Sequence, residues 1–439
     1  MKRFNLRRVT ILSALTLAIL APGLAAAQVL VIDGGTVHPV TGDPFVGRVV
    51  IEDGLISAAA PNATAPAGAT TIDATGLHVY PGLFDAMSTI GLIEIGAVSA
   101  TNDQAEIGAY NPHLAAATAV HPASELIPVT RANGVTHALV APRTDRGGVI
   151  AGQAALIDLA GWTVEEMALD ASIAMVITWP AIQTRSFDFA TFSMKESPYA
   201  EAKEKAEEAL NELRDWVDAA RHYRQAADGG SERLETDQKL AAFARCLDGG
   251  MPVIIRADAK RDIEAAIEFA EREGIRMILA GGRDAWKVKG LLAEKKVPVI
   301  LGLTLSLPRE DDLPYDMPFR NAGELLEAGV KIAFASGAGG GFGPSGPHGA
   351  RTLPYEANAT VSYGLSEDEA LRAITISPAE MLGVGDRLGS IEAGKVANLI
   401  VTDGSPLMIQ TQVKHLVIGG QEISTENMQR SLYEKYRAR

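Results

Sequence analysis

Two textures alternate along the chain. Between residues 28 and 78, β-branched runs ("VLVIDGGTVHPV", "FVGRVVIEDGLIS", "ATTIDATGLHV") are cut by Asp-Gly and Gly-Gly turns, which predicts short strands. From residue 79, short apolar runs alternate with longer amphipathic stretches. The runs at 79–85, 135–141, 172–178, 252–257, 276–280, 297–302 and 330–335 predict strands, and stretches such as 261–273 and 283–294 predict helices between them. Strand–helix units at this spacing predict a parallel sheet covered by helices. Seven such strands, with an eighth near 154–159, fit an α/β (β/α)8 barrel of the TIM type. The clearest helix is 196–228, where Leu210, Leu213, Trp216, Val217, Ala220 and Tyr223 form one stripe opposite the charges. After 380 the short strands return in "LGSIEAGKVANLIVTDG" and "VKHLVIGGQEI".

Composition narrows the function classes. The 439 residues are 47% hydrophobic and 21% charged, enough for a sizeable core, and aromatics are only 5%, too few for base-stacking platforms. Lys2, Arg3, Arg7 and Arg8, the apolar run Val9 to Leu20 and the Ala25-Ala26-Ala27 site predict a signal peptide at 1–27, hence a periplasmic or secreted protein. The apolar run is too short to span a membrane comfortably. Removing those four basic residues takes the net charge from −14 to −18, a balance that repels nucleic acid and anionic lipid. Cys246 is the single cysteine; its place in a helical pattern predicts a buried apolar residue.

Candidate chemistry begins at "VYPGLFDAMSTIGL", residues 79–92, which has the frame of a strand leading to an active site. "VYPGLFDA" resembles the start of the first barrel strand of the amidohydrolase superfamily, and "ITISPAEMLGVGDRLGSIEAGKVANLIVTDGSPL", 374–407, resembles its C-terminal signature, with Asn398 where an Asp is usual. The nearest flavour is the imidazolonepropionase-like and secreted dipeptidase-like branch. The resemblance implies a (β/α)8 barrel at 79–379 and a small β-sandwich composed of 28–78 and 380–425. It also implies zinc or another divalent metal at the barrel mouth, where a metal-bound water attacks the carbon–nitrogen bond of an amide or cyclic amide.

The ligand positions implied by the resemblance hold other residues. The His-x-His of strand 1 falls on Met87 and Thr89, the strand 5 His on Arg256, the strand 6 His on Gly281 and the strand 8 Asp on Gly337. A thioether and a neutral hydroxyl do not replace two imidazoles for zinc. A metal lowers the pKa of water from 15.7 to about 7, whereas a side-chain base alone supplies about 10²–10⁴-fold. No cofactor is therefore expected. None of the eight histidines shows HxH or HxxxH spacing.

Asp85, Arg256 and His348 are the candidate catalytic groups; Arg256, Asp258, Asn102 and Glu106 are the candidate ligand-binding groups. An Arg in a barrel mouth needs an anionic partner, either Asp85 or Asp258, or the carboxylate of a ligand. The Gly-rich segment 336–350 is expected to be a lid, since Pro344 breaks its formal GxGxxG. Three functions fit: a metal-free binding or partner subunit, a carbon–nitrogen hydrolase with a relocated site, and a periplasmic binding protein for small acidic ligands or short peptides. An oligomer is expected, with a metal-bearing homologue as a candidate partner.

Overall fold

The computed structural model describes residues 29–438 except 146, 189–190, 231–233, 303, 309, 311 and 339–345. The proposed signal peptide and the centre of the Gly-rich segment lie outside the described residues. Eight strands form the barrel sheet: β1 (Leu83–Ser88), β2 (Val135–Val140), β3 (Ile150–Asp158), β4 (Ala168–Thr178), β5 (Val253–Ala257), β6 (Met277–Gly281), β7 (Val299–Leu301) and β8 (Ile332–Phe334). They lie in sequence order across the sheet. The eighth strand stands near its expected place at 154–159, with one correction. β3 runs antiparallel to both β2 and β4, whereas all other pairings in this sheet are parallel. Hydrophobic alternation reports which face a residue takes and is blind to strand direction.

Two layers of apolar side chains follow from the pleat. Phe84, Leu139, Val176, Ile254, Ile278, Ile300 and Ala333 form a cluster inside the barrel, closed at the floor by Met381 and Leu382 of the helix Ile376–Leu382. The alternate residues, among them Leu83, Val253, Ile255, Leu279 and Phe334, pack outward on Ile263, Phe269, Leu292 and Leu325 of the covering helices. Each such fully buried side chain contributes about 1.5–3 kcal/mol. The long helix Tyr199–Asp228 buries Leu213, Val217 and Ala220 from its expected stripe. Cys246 is buried, and burial pushes its thiol up to about 12.

Both chain ends build a second eight-stranded sheet. Its order runs Gln421–Ile423, Val413–Ile418, Leu399–Thr402, His78–Pro81, Val29–Val37, Phe45–Glu52 and Leu55–Ala60, with Thr70–Asp73 also paired to Val29–Val37. Leu399–Thr402 lies antiparallel on His78–Pro81, so this sheet feeds the chain through the Pro81-Gly82 corner straight into β1. The fold is thus a TIM-like barrel with a flanking sheet.

Candidate ligand site at the barrel mouth

The first candidate, Asp85, closes the barrel and does not face its mouth. Its side chain is completely buried and accepts hydrogen bonds from Ser336 N at 3.0 Å, Met87 N at 3.3 Å and the Ser336 hydroxyl. Gly337 N adds a bond to Met87 O at 2.7 Å, so strand β1 is stapled to the residues just beyond β8. Burial pushes the Asp85 carboxyl up to about 6 against these bonds. An acid engaged from three sides and shut off from water is a structural fastener.

The same staple disturbs the end of β1. The β1–β2 ladder shifts register between Asp85 and Ser88, so simple alternation stops there. Met87 is packed in the inner apolar cluster. Thr89 is 2% exposed, and its hydroxyl has no hydrogen-bond partner among the described residues. A buried hydroxyl without a partner costs about 1–3 kcal/mol, which marks the spot as one where a ligand or water completes the site.

Arg256 stands at the end of β5 and projects across the mouth. Its Nη2 donates to Gly337 O at 2.7 Å and to Ala338 O at 3.4 Å. Arg143, just beyond β2, donates its own Nη2 to the same Gly337 carbonyl at 3.2 Å. The two terminal nitrogens therefore lie within about 6 Å of each other. Burial and the Arg143 charge pull the Arg256 guanidinium down to about 9, with Asp258 opposing. By surface area Arg256 is only half-buried, so an arriving ligand has access to it.

Neither expected carboxylate partner reaches Arg256. Asp85 is spent on Ser336, and Asp258 pairs with Arg283 at 3.6 Å and accepts from Arg283 N at 3.3 Å. Among the described residues no carboxylate lies within ion-pair distance of Arg256. The expectation of an internal salt bridge is corrected: backbone carbonyls hold the guanidinium, and they carry no full charge to balance it.

The two glycines at implied ligand positions are tightly enclosed. A Cβ on Gly337 would sit 2.8 Å from Met87 O and 3.1 Å from Ser88 Cα, both main-chain atoms. A Cβ on Gly281, whose φ is +93°, would sit 2.8 Å from the Asp258 carboxylate. Gly337 accepts no Asp or His without movement of main chain, and at Gly281 a side chain is strained by the positive φ and must displace the Asp258 carboxylate.

The remaining candidates are not gathered here. Asn102 is half-buried beside a short 3₁₀ turn, and Glu106 is exposed, offering only its main-chain carbonyl to Asn111 at 3.5 Å. The loop after β1 reaches the mouth through a different residue: Gln104 O accepts from Arg143 N at 2.7 Å. His348 is exposed in the 3₁₀ turn Pro347–Thr352, with no contact to Arg256. At the start of the Gly-rich segment, Ser336 and Gly337 are fastened to β1, so this part is no lid. Sequence reasoning missed Arg143 and Ser336; a lone Arg in a loop and a lone Ser carry no spacing signal.

A divalent metal does not fit these residues. The implied ligand positions offer a buried thioether, one hydroxyl, a guanidinium and two glycines, none of them a zinc donor. Among the described residues no group of three His, Cys, Asp or Glu is placed to hold a metal ion. Two guanidinium charges also repel a cation.

The barrel floor differs. His137 on β2 and Asp158 on β3 are register partners, and Asn398 from the flanking sheet donates to Asp158 at 2.7 Å. Gly419 N donates to Asn398 Oδ1 at 2.7 Å, tying in the flanking sheet. Burial pushes Asp158 up to about 7 and His137 down to about 3. These groups are structural and remote from the mouth.

Comparison with known proteins agrees with this architecture. The Amidohydrolase family profile matches residues 317–424. A solved amidohydrolase from Thermotoga maritima superposes with a TM-score of 0.78 at 28% identity, over 90% of this chain and 99% of that one. Residues 317–424 thus match an amidohydrolase family profile, within a chain that is similar over most of its length to a solved amidohydrolase. Amidohydrolase tasK of Hapsidospora irregularis is 24% identical over 388 residues, 83% of this chain and 38% of the relative. An imidazolonepropionase of Flavobacterium johnsoniae is 35% identical over 86 residues, 20% of each chain. The chain thus spans about two-fifths or less of the length of these two curated relatives.

Proposed function

We propose that the barrel mouth binds a small ligand by its carboxylate, with Arg256 as the clamp, and that this chain does not run the metal-dependent hydrolysis of its superfamily. The observation that carries the reading is Arg256 itself: a half-buried guanidinium aimed across the mouth, held among the described residues by the carbonyls of Gly337 and Ala338 and by no carboxylate. A ligand carboxylate supplies the missing negative charge; the Thr89 hydroxyl, without a partner among the described residues, follows β1, whose Met87 carbonyl holds Gly337, the residue whose own carbonyl holds Arg256. Charge-assisted hydrogen bonds of this type contribute about 1.5–3 kcal/mol. We further propose that the protein is exported and acts as a binding or partner subunit, within an oligomer.

One observation favours a second reading, a hydrolase of carbon–nitrogen bonds using a relocated site. The match to the Thermotoga amidohydrolase runs the length of the barrel. The two are separated by calorimetry with N-acetyl amino acids, run beside an amide-hydrolysis assay with and without added zinc. The clamp reading predicts binding without turnover. Arg256→Met should weaken that binding about 10- to 100-fold with the fold retained. Zinc-stimulated turnover, or unaltered binding by Arg256→Met, contradicts the clamp.

A further inference from the structure

The end of the barrel opposite the mouth carries a cavity of about 390 Å³, within the range of small-molecule sites. It lies where β6, β7 and β8 begin, and its walls are aliphatic: Met277, Leu292, Val297, Val330 and Met381. A second cavity of about 250 Å³ shares Gly329, Val330, Lys331 and Glu380 with it, so the two form one elongated groove. Arg276, Lys296 and Lys331, each shortly before one of these strands, stand along it. The groove's carboxylates are Glu369 and Glu380. Lys331 pairs with Glu380 at 2.5 Å, and Arg372 offsets Glu369 in number. Arg276 and Lys296 are exposed and have no ion-pair partner among the described residues. They leave the groove an excess of two positive charges in a chain whose net charge is −14.

The backbone singles out Lys296. The helices Lys260–Glu273, Met317–Glu327 and Ile376–Leu382 each close on a glycine of positive φ: Gly274 at +68°, Gly329 at +83° and Gly383 at +79°. The helix Lys289–Glu294 closes on Lys296 at φ +53° instead. Glycine is the unstrained residue at such a turn, because in the left-handed region a Cβ crowds the following carbonyl oxygen. A lysine kept in a strained conformation, beside an aliphatic groove and without a carboxylate partner, is strain that points to a ligand. We infer that this groove binds a medium-chain carboxylate, its hydrocarbon chain on the aliphatic walls and its carboxylate served by Arg276 and Lys296. The groove is elongated and no aromatic side chain lines it, which suits a straight alkyl chain better than an aromatic acid. This site is separate from the mouth and does not rest on the clamp reading above.

The test compares octanoate with 1-octanol, which has the same chain and no charge, by calorimetry on the full chain in low-salt buffer. Arg256→Met protein is titrated beside the wild type, which takes the mouth clamp out of the comparison. In Arg256→Met protein octanoate should bind about fivefold tighter than octanol, the sum of two partly exposed charge contacts, and in the wild type at least as much. Adding Arg276→Gln and Lys296→Gly to Arg256→Met should shrink that preference below about twofold and leave octanol binding unchanged. Lys296→Gly alone should raise the urea midpoint while weakening octanoate, because it relieves the turn and removes a charge. Arg276 and Lys296 are exposed, and a thermal melt of each variant shows that the fold is intact. Absence of octanoate binding, equal binding of octanoate and octanol, or a preference that survives the Arg276 and Lys296 substitutions overturns the inference. So does a preference present in the wild type and absent from Arg256→Met, which places the carboxylate at the mouth. A Lys296→Gly protein that is less stable than the wild type and binds octanoate equally well overturns it too, because Lys296 then serves its helix end alone.

Discussion

At the floor of the barrel buried acids are held by neutral donors, whereas at the mouth cations are held by main-chain carbonyls. Asp158 takes a hydrogen bond from Asn398, which in turn receives one from Gly419, and the group ties the barrel to the flanking sheet. Arg256 and Arg143 both donate to one carbonyl oxygen, that of Gly337. The floor is completed from within the chain; at the mouth, on the reading proposed above, a ligand carboxylate does so. Hydrogen bonds that need no metal therefore hold the frame, and the ends of the strands are left to carry function.

The comparison breaks most visibly at Asp85, which belongs with the floor in kind although it sits near the mouth. Asp85→Ala leaves Ser336 N and Met87 N without an acceptor in a dry site, and leaves the Ser336 hydroxyl only the Ser88 hydroxyl. The expected loss is about 3 kcal/mol in urea unfolding, read as a lower midpoint, with a smaller loss for Asp85→Asn. A loss under 1 kcal/mol for Asp85→Ala would remove Asp85 from the closure of the barrel.

Enclosure at the mouth gives the next largest effect. Gly337→Ala places a methyl 2.8 Å from Met87 O and should cost about 1–3 kcal/mol. Arg256→Met should leave the thermal midpoint unchanged or slightly raised, because it removes a cation that no carboxylate balances. The pair of melts sharpens the contrast: small additions at the glycine hurt, and a large charge removal does not.

The smallest effect is a pH trend from the floor. Asp158 is raised to about 7 by burial, from an unfolded value of 3.8. Its folded form prefers the proton, so its contribution to stability is complete below 3.8 and is lost as pH rises through about 7. His137, lowered to about 3, acts in the opposite sense: its contribution is present above 6.5 and is lost as pH falls toward 3. Between pH 6.5 and 8 the unfolded-state His137 gives up the rest of its proton and opposes the Asp158 trend in part, so stability should fall only slightly across that interval. Asp158→Asn, which keeps an oxygen for Asn398, should flatten the fall. An unchanged slope in the variant would place the titrating group elsewhere.

Much of the frame was legible before any coordinates. The apolar runs marked the barrel strands, and "GSIEAGKVANLIV" marked the return to the flanking sheet, because pleat and turn chemistry are local. The direction of β3 was not legible, since Ile150–Asp158 alternates the same way whichever way it runs. Met87, Thr89, Arg256, Gly281 and Gly337 were legible as unusual residues at strand ends. Their arrangement was not: that Asp85 turns to Ser336, that Arg143 joins Arg256, and that Gly337 lies tight on the main chain of Met87 and Ser88 are all contacts between distant parts of the chain. Sequence suggested a carboxylate for Arg256 because charge attraction is the only partner rule that a sequence alone supports; a carbonyl carries no residue signature.

The central claim, that this mouth is a cationic carboxylate site and not a metal site, is tested most directly by elemental analysis of the protein purified without chelator and then dialysed against zinc. The account predicts well under one zinc, manganese or iron per chain before and after zinc exposure, in wild type and Arg256→Met alike. One or more tightly held metal ions per chain in the wild type, lost on substitution of Thr89 or Arg256, would contradict it.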